Sequence, residues 1–175
     1  MTAEDRQELI DYLEASRADV RNAVQGLSEA ESRAKAEGGW SATDCVEHLV
    51  LIERAVRERV RSAAAEAGGA PQGVDGKEEL LKKAVPTRRG KANAPPAFSP
   101  SGAFATLADA LEAFEQERGA TLQYVRECTD DLRQCGFEHF VFKALDGRQW
   151  MLLLAMHSTR HARQIVEGRA AAAAS

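Results

Sequence analysis

The sequence predicts an all-α chain folded as a four-helix bundle, with a long crossover between its second and third helices. Three observations predict it. Four segments carry apolar residues at helical spacing, strand signals are almost absent, and one connection is far longer than the others.

The first helical segment follows Leu9, Leu13, Val20, Val24 and Leu27, which recur at steps of three, four or seven. The second follows Cys45, Leu49, Ile52, Val56 and Val60. Its start is signalled by "GGWSATD", where Ser41 is the expected N-cap and Asp44, three residues on, completes an approximate capping box. The third follows Leu107, Leu111, Phe114, Leu122 and Val125. The fourth follows Trp150, Leu153, Leu154, His157, His161 and Ile165, and is entered through the Asp146-Gly147 turn. Between the third and fourth, "FEHFVF" has aromatic and β-branched density but is too short to build a sheet alone.

The connection over residues 65–103 is rich in Gly, Pro, Ala and charge. A loop of that length in a compact domain is functional, partly helical or disordered. "KEELLKKAV" suits a short helix, and "NAPPAFSP" suits extended chain. Such a crossover lets the second and third helices run parallel, unlike an up-down hairpin bundle. Residues 1–168 read as one domain, and the alanine-rich 169–175 reads as a disordered tail.

Composition narrows the function classes. The chain has 175 residues, is 44% hydrophobic and 29% charged, and carries a net charge of −4. That balance is ordinary for a soluble protein and gives no reason to expect nucleic acid as a partner. No apolar run approaches the roughly 18–20 residues a membrane helix needs, and the polar, amphipathic "MTAEDRQELIDYLEASR" argues against a cleaved signal peptide. Cys45, Cys128 and Cys135 form no C-x-x-C unit, so reduced thiols in a cytoplasm are expected.

Chemistry concentrates in "LLLAMHSTRHARQIVE". His157 and His161 are four apart, one turn from each other on one helix face, and continue the stripe of Leu153 and Leu154 toward the bundle interior. His48, on the second helix, flanks that helix's apolar stripe. Imidazole is neutral near pH 7 and ligates zinc, nickel, cobalt or iron. A pair at this spacing can share one ion, and a third histidine from a facing helix would leave a position for water or substrate. The bland alternative is hydrogen-bonded core histidines, and spacing alone leaves both readings open.

Two longer stretches carry a family resemblance. "GWSATDCVEHLVLIERAV" resembles the second-helix signature of the DinB/YfiT-like superfamily, where a tryptophan and a small capping residue precede a helix with an early His-Leu. "WMLLLAMHSTRHARQIVE" resembles its fourth-helix signature, H-x-x-x-H followed by Arg/Gln-Ile. The resemblance spans most of the chain. It implies an up-down-down-up bundle holding a divalent metal with His48, His157 and His161. It also implies a zinc or nickel cofactor and, in some relatives, a low-molecular-weight thiol such as mycothiol, bacillithiol or glutathione.

The other candidates carry weaker expectations. His139 lies where related chains often have a histidine-proline segment, but here the sequence reads His-Phe, so a partly exposed loop residue is favoured over a role at the rim or behind a ligand. Cys45 is read as core rather than a fourth ligand or nucleophile. Arg160 and Arg163 are expected in solvent or on neighbouring carboxylates, with an anionic substrate as the sharper option. Gln164 is placed to orient a ligand ring or satisfy a carbonyl, and Trp40 to anchor the loop or roof a pocket. Glu47 and Glu53 are expected to turn away from the site, which leaves catalytic residues unassigned. The basic "TRRGK", with Lys82 and Lys83, reads as solvated loop, or as a holder of an anionic thiol if the loop folds over the metal end.

Two functions follow. One is a metal-dependent thiol S-transferase or hydrolase acting on a small molecule. The other is a non-catalytic metal-binding or stress-response module, in which a homodimer through an exposed helix face is an option.

Overall fold

A computed structural model of the chain describes residues 1–35, 39–66, 68–87 and 94–173. Four long helices form the bundle: α1 (Ala3–Val24), α3 (Ala42–Ala65), α5 (Leu107–Glu127) and α6 (Gly147–Ala173). Short helices α2 (Glu29–Arg33) and α4 (Lys77–Ala84) lie in the connections. Helices α1, α3 and α5 begin with a reciprocal capping box, made by Thr2 with Asp5, Ser41 with Asp44 and Thr106 with Asp109. Asp146 and Gln149 do the same for α6, the Gln149 amide donating to Asp146 Oδ1 at 2.7 Å. These caps satisfy backbone donors that each helix start leaves open, and so set where the rods begin.

Cross-helix pairs give the directions. Arg148 of α6 meets Glu8 of α1 near both helix starts, so these two run parallel. Arg6 donates to the Val125 carbonyl and Arg126 pairs with Glu14, so α5 runs against α1. Arg54 reaches Glu117 at the middle of both helices and Arg61 lies over the Tyr124 ring toward both helix ends, so α3 runs with α5. The order is therefore up-down-down-up, as the sequence leads one to expect. Helix α1 packs on α6 and α5, and α3 packs on the same two.

A parallel α3 and α5 oblige the chain to return along the bundle's full length, about 36 Å for the 24 residues of α3. The crossover does this as a strap on α6. Leu81 and Val85 are buried beneath α4. Arg148 and Arg133 hold Glu78 at 2.6 and 2.9 Å, and Gln149 Nε2 donates to the Val74 carbonyl at 2.7 Å. Farther along α6, Arg160 donates to the Thr87 carbonyl and Arg163 to that of Pro86. The short helix expected in "KEELLKKAV" is α4, while "NAPPAFSP" contains a 3-10 turn at Pro96–Phe98 rather than purely extended chain.

Two expectations need amending. "FEHFVF" does join a sheet: β1 (Gly136–His139) pairs antiparallel with β2 (Lys143–Asp146). The second strand was hidden because "KALD" has no apolar alternation. The hairpin is stabilised by packing on α6, where the Phe137 and Trp150 rings stack at 4.2 Å and Trp150 Nε1 donates to the Phe137 carbonyl. At Gly136 a methyl would overlap the Leu145 carbonyl oxygen, so only glycine allows this close pairing. The alanine segment set apart after Gly168 continues α6 through Ala173, in keeping with alanine's high helix propensity.

The bundle interior is two apolar clusters. One surrounds Leu9, Leu13, Leu122 and Met151, and the other surrounds Val20, Leu49, Phe114 and Ile165. All three cysteines are free thiols, and no helix among the described residues is long and apolar enough to cross a membrane.

Candidate metal centre

The local sequence of α3 and α6 brings three imidazoles together. Ser41 starts α3 so that His48 lies two turns in, at 3% exposure, on the face that looks at α6. On α6, His157 and His161 stack one turn apart, with His161 at 5% exposure and His157 half-buried. His48 Nε2 lies 2.9 Å from His157 Nε2, and His161 Nε2 lies 3.2 Å from the same atom. One ligand atom from each of the three rings falls within 4.8 Å of the others.

Protonation follows from the surroundings. His48 Nδ1 sits 2.6 Å from the Phe98 carbonyl oxygen, which only an N–H can satisfy. That bond fixes the tautomer and turns the Nε2 lone pair toward α6. Burial holds His48 below the ordinary imidazole range, with the Phe98 carbonyl opposing it. Loss of hydration pushes His157 down to about 3, aided by the nearby His48 and Arg160. His48 and His157 are therefore neutral at pH 7, the form that binds metals.

These distances pass a simple test. Two nitrogens bound at about 2.0–2.1 Å to one ion, with an angle near 90–109°, stand roughly 2.9–3.3 Å apart. The His48–His157 and His157–His161 separations both lie in that interval. A donor set of three imidazoles suits late first-row divalent ions and leaves at least one position for another ligand.

The comparisons with known proteins bear on the family and the fold. A sequence profile of the DinB superfamily matches residues 12–165. The chain belongs to the DinB superfamily. Among solved structures it is similar to YfiT from Bacillus subtilis, at a TM-score of 0.68 and 19% identity over 99% of this chain and 90% of that one. YfiT is described as a probable metal-dependent hydrolase with an unusual four-helix bundle topology. At that identity the likeness shows the fold. Compared with curated protein sequences, the chain has no match.

Within this DinB-superfamily chain the remaining candidates separate clearly. Trp40 stands over the trio, its ring stacked on His161 at 5.8 Å and tilted on His48 at 4.8 Å. Cys45 is fully buried in the apolar cluster around Leu49, outside the histidine group. Arg160 and Arg163 hold the crossover strap through its carbonyls. Among the described residues Gln164 makes no hydrogen bond to the three rings; the Phe98 carbonyl orients His48 instead. Arg88, Arg89 and Lys91 lie outside the described residues.

His139 is not at the site. It ends β1 and caps the hairpin, its Nδ1 accepting from the Val141 and Phe142 amides at 3.0 and 3.1 Å.

Sequence reasoning missed what Glu47 does. It is turned from the trio, as expected, and is buried. Its carboxylate accepts from the amides of Ser101, Gly102 and Ala103 at 2.7–3.2 Å and from the Ser101 hydroxyl at 3.0 Å. It thus clamps the strap just beyond Phe98. The only sequence signal was a carboxylate beside a candidate ligand histidine, which is silent about a backbone partner so far along the chain. Two surface concavities, one near Cys135 and one between the end of α1 and the start of α5, are lined by none of the three histidines.

Proposed function

We propose that His48, His157 and His161 hold a divalent metal ion, zinc or nickel first among those that suit them, and that the protein is a metal-dependent enzyme of the thiol-transferase or hydrolase class. The observation that carries this reading is the meeting of three imidazoles from two helices, with His157 Nε2 at 2.9 and 3.2 Å from the other two, separations a single ion would set. Such an ion, when bound, lowers the pKa of a coordinated thiol or water and so supplies a nucleophile near neutral pH. The chain's own residues bind and orient. The Phe98 carbonyl holds His48 in the binding tautomer, and Trp40 shields one side of the rings. Glu47 and Glu53 are both consumed by structural bonds, so neither stands ready as a general base.

The test starts from protein purified without a histidine tag, by elemental analysis of metal per chain. It continues with turnover on a small-molecule panel covering thiol transfer (mycothiol, bacillithiol, glutathione) and ester and amide hydrolysis. One ion per chain, with turnover that disappears on chelation and in His157→Ala, is the expected result. Metal-free protein, or metal content unchanged in a His157→Ala/His161→Ala variant, would overturn it.

A second reading, a non-catalytic metal-binding module, is favoured by one observation: two of the three rings are almost wholly enclosed, with Trp40 against both. Cobalt substitution separates the two. An absorption spectrum that shifts on adding a small thiol indicates an accessible position, whereas an indifferent spectrum indicates a closed site. Sedimentation reads whether the module works as a homodimer.

A further inference from the structure

Between the two apolar clusters lies a charged layer. Arg118 of α5 is 0% exposed, and Glu53 of α3 is 1% exposed. The guanidinium makes a bidentate pair with Glu53, at 2.8 Å from Nε and 3.1 Å from Nη2. Its Nη1 donates to the Leu13 carbonyl at 2.6 Å and the Ser16 hydroxyl at 2.7 Å, both on α1. Its Nη2 also donates to Ser158 Oγ of α6 at 2.8 Å. All five N–H donors are matched, and all four bundle helices are tied to one planar group.

Stability alone is a poor reason for such a layer. Taking two charges out of water offsets much of their attraction, and apolar residues of similar volume commonly serve as well or better. What an apolar layer lacks is a fixed register. Leucine, valine and alanine surfaces admit several near-equivalent packings, whereas five directed bonds admit one.

The layer is anchored next to the imidazoles. Ser158 is the residue after His157. Glu53 lies five residues, about 7.5 Å along the axis, from His48. Each ligand-bearing helix is therefore pegged to the same guanidinium close to its own ligand. Metal–ligand distances tolerate only about 0.2 Å, so a small slip of α6 along α3 would spoil the common focus.

We propose that Arg118, with Glu53 and Ser158, is a positioning residue for the metal centre: it fixes α6 against α3 so that the three imidazoles share one ion. This rests on reading the trio as a metal site.

The test is cobalt binding, by competition against a chromophoric chelator and by the visible spectrum of the bound ion. It compares wild type, Arg118→Met/Glu53→Leu and Ser158→Ala, with urea unfolding of each metal-free protein alongside. The double variant is expected to keep its helix content and its urea midpoint, yet to bind cobalt about 10–100-fold more weakly with an altered spectrum. Ser158→Ala keeps the ion pair and is expected to show a smaller loss of affinity. A folded double variant with wild-type affinity overturns the proposal, as does a lowered urea midpoint with unchanged affinity. If the double variant does not fold, Ser158→Ala decides, and wild-type affinity there overturns the proposal. Wild type that takes up no cobalt removes the metal site itself and this inference with it, an outcome distinct from binding that ignores the brace.

Discussion

At the level of Arg118, each buried donor meets an acceptor and the charges cancel. A turn or two along the same helices, at the level of His48 and His157, ring nitrogens instead face one another at 2.9 Å. Both layers are polar, both are buried, and both join α3 to α6. They differ in completeness. A buried network closed on itself specifies a packing, whereas ring nitrogens gathered at one point can also serve an added ion. The same contrast runs down α3 alone. Glu53 and Glu47 are both enclosed, but the first answers a side chain across the core and the second answers backbone amides of the strap.

The largest expected effect breaks the converging layer. His157→Ala removes the nitrogen that stands 2.9 and 3.2 Å from the other two, and elemental analysis should find metal falling from one per chain to trace. Since the ring is neutral and makes no ion pair, the metal-free variant should unfold in urea close to the metal-free wild type. The closed layer should fail in the opposite way. Glu53→Leu leaves the Arg118 guanidinium buried with no counter-charge, at a cost of about 3–5 kcal/mol in urea unfolding. Replacing both partners should recover most of it. If the single and double variants are equally destabilised, the attraction itself and not the orphaned charge was the dominant contribution.

That asymmetry also explains what the sequence disclosed. The four rods, the Ser41–Asp44 cap and the parallel course of α3 and α5 were legible because they rest on local spacing and on one long connection. The pair at His157 and His161 was legible for the same reason, and family resemblance supplied His48. Arg118 was not. An arginine within a helical segment defaults to solvent, and nothing local says that Glu53, Ser16 and Ser158 wait at its tip. Glu47 was legible only as a side chain turned from the site, because its partners are backbone amides across the crossover, which carry no side-chain signature. The β-hairpin escaped for want of a second recognisable strand.

Glu47 gives the intermediate effect and sharpens the contrast with Glu53. Glu47→Ala strips the amides of Ser101, Gly102 and Ala103 of their acceptor, at about 1–3 kcal/mol. The neighbouring Phe98 carbonyl should lose its hold on His48, so metal affinity should fall by about 10-fold. Glu53→Leu acts first on global stability; Glu47→Ala should act first on affinity, with most of the urea midpoint retained. Equal affinity in wild type and Glu47→Ala would mean that Phe98 is held in place by other contacts.

The smallest effect concerns the histidine that the site excludes. His139 accepts two backbone amides through Nδ1, and burial pushes its pKa down to about 4 from an ordinary value of 6.5. The unfolded chain therefore takes up a proton between those values while the folded chain does not. Stability from this ring is complete above about pH 6.5, declines as the pH falls toward 4, and changes no further below that. His48 and His157 are shifted in the same direction, so the slope in wild type alone does not isolate the hairpin. The difference in urea midpoint between wild type and His139→Asn, followed from pH 7.5 to 4.5 on metal-free protein, does. Asparagine can still accept at the turn but does not titrate, so its advantage over histidine should grow as the pH drops. A constant difference across that range would mean that the His139 ring stays open to water and that the hairpin is packed less firmly on α6 than Trp150 and Phe137 indicate.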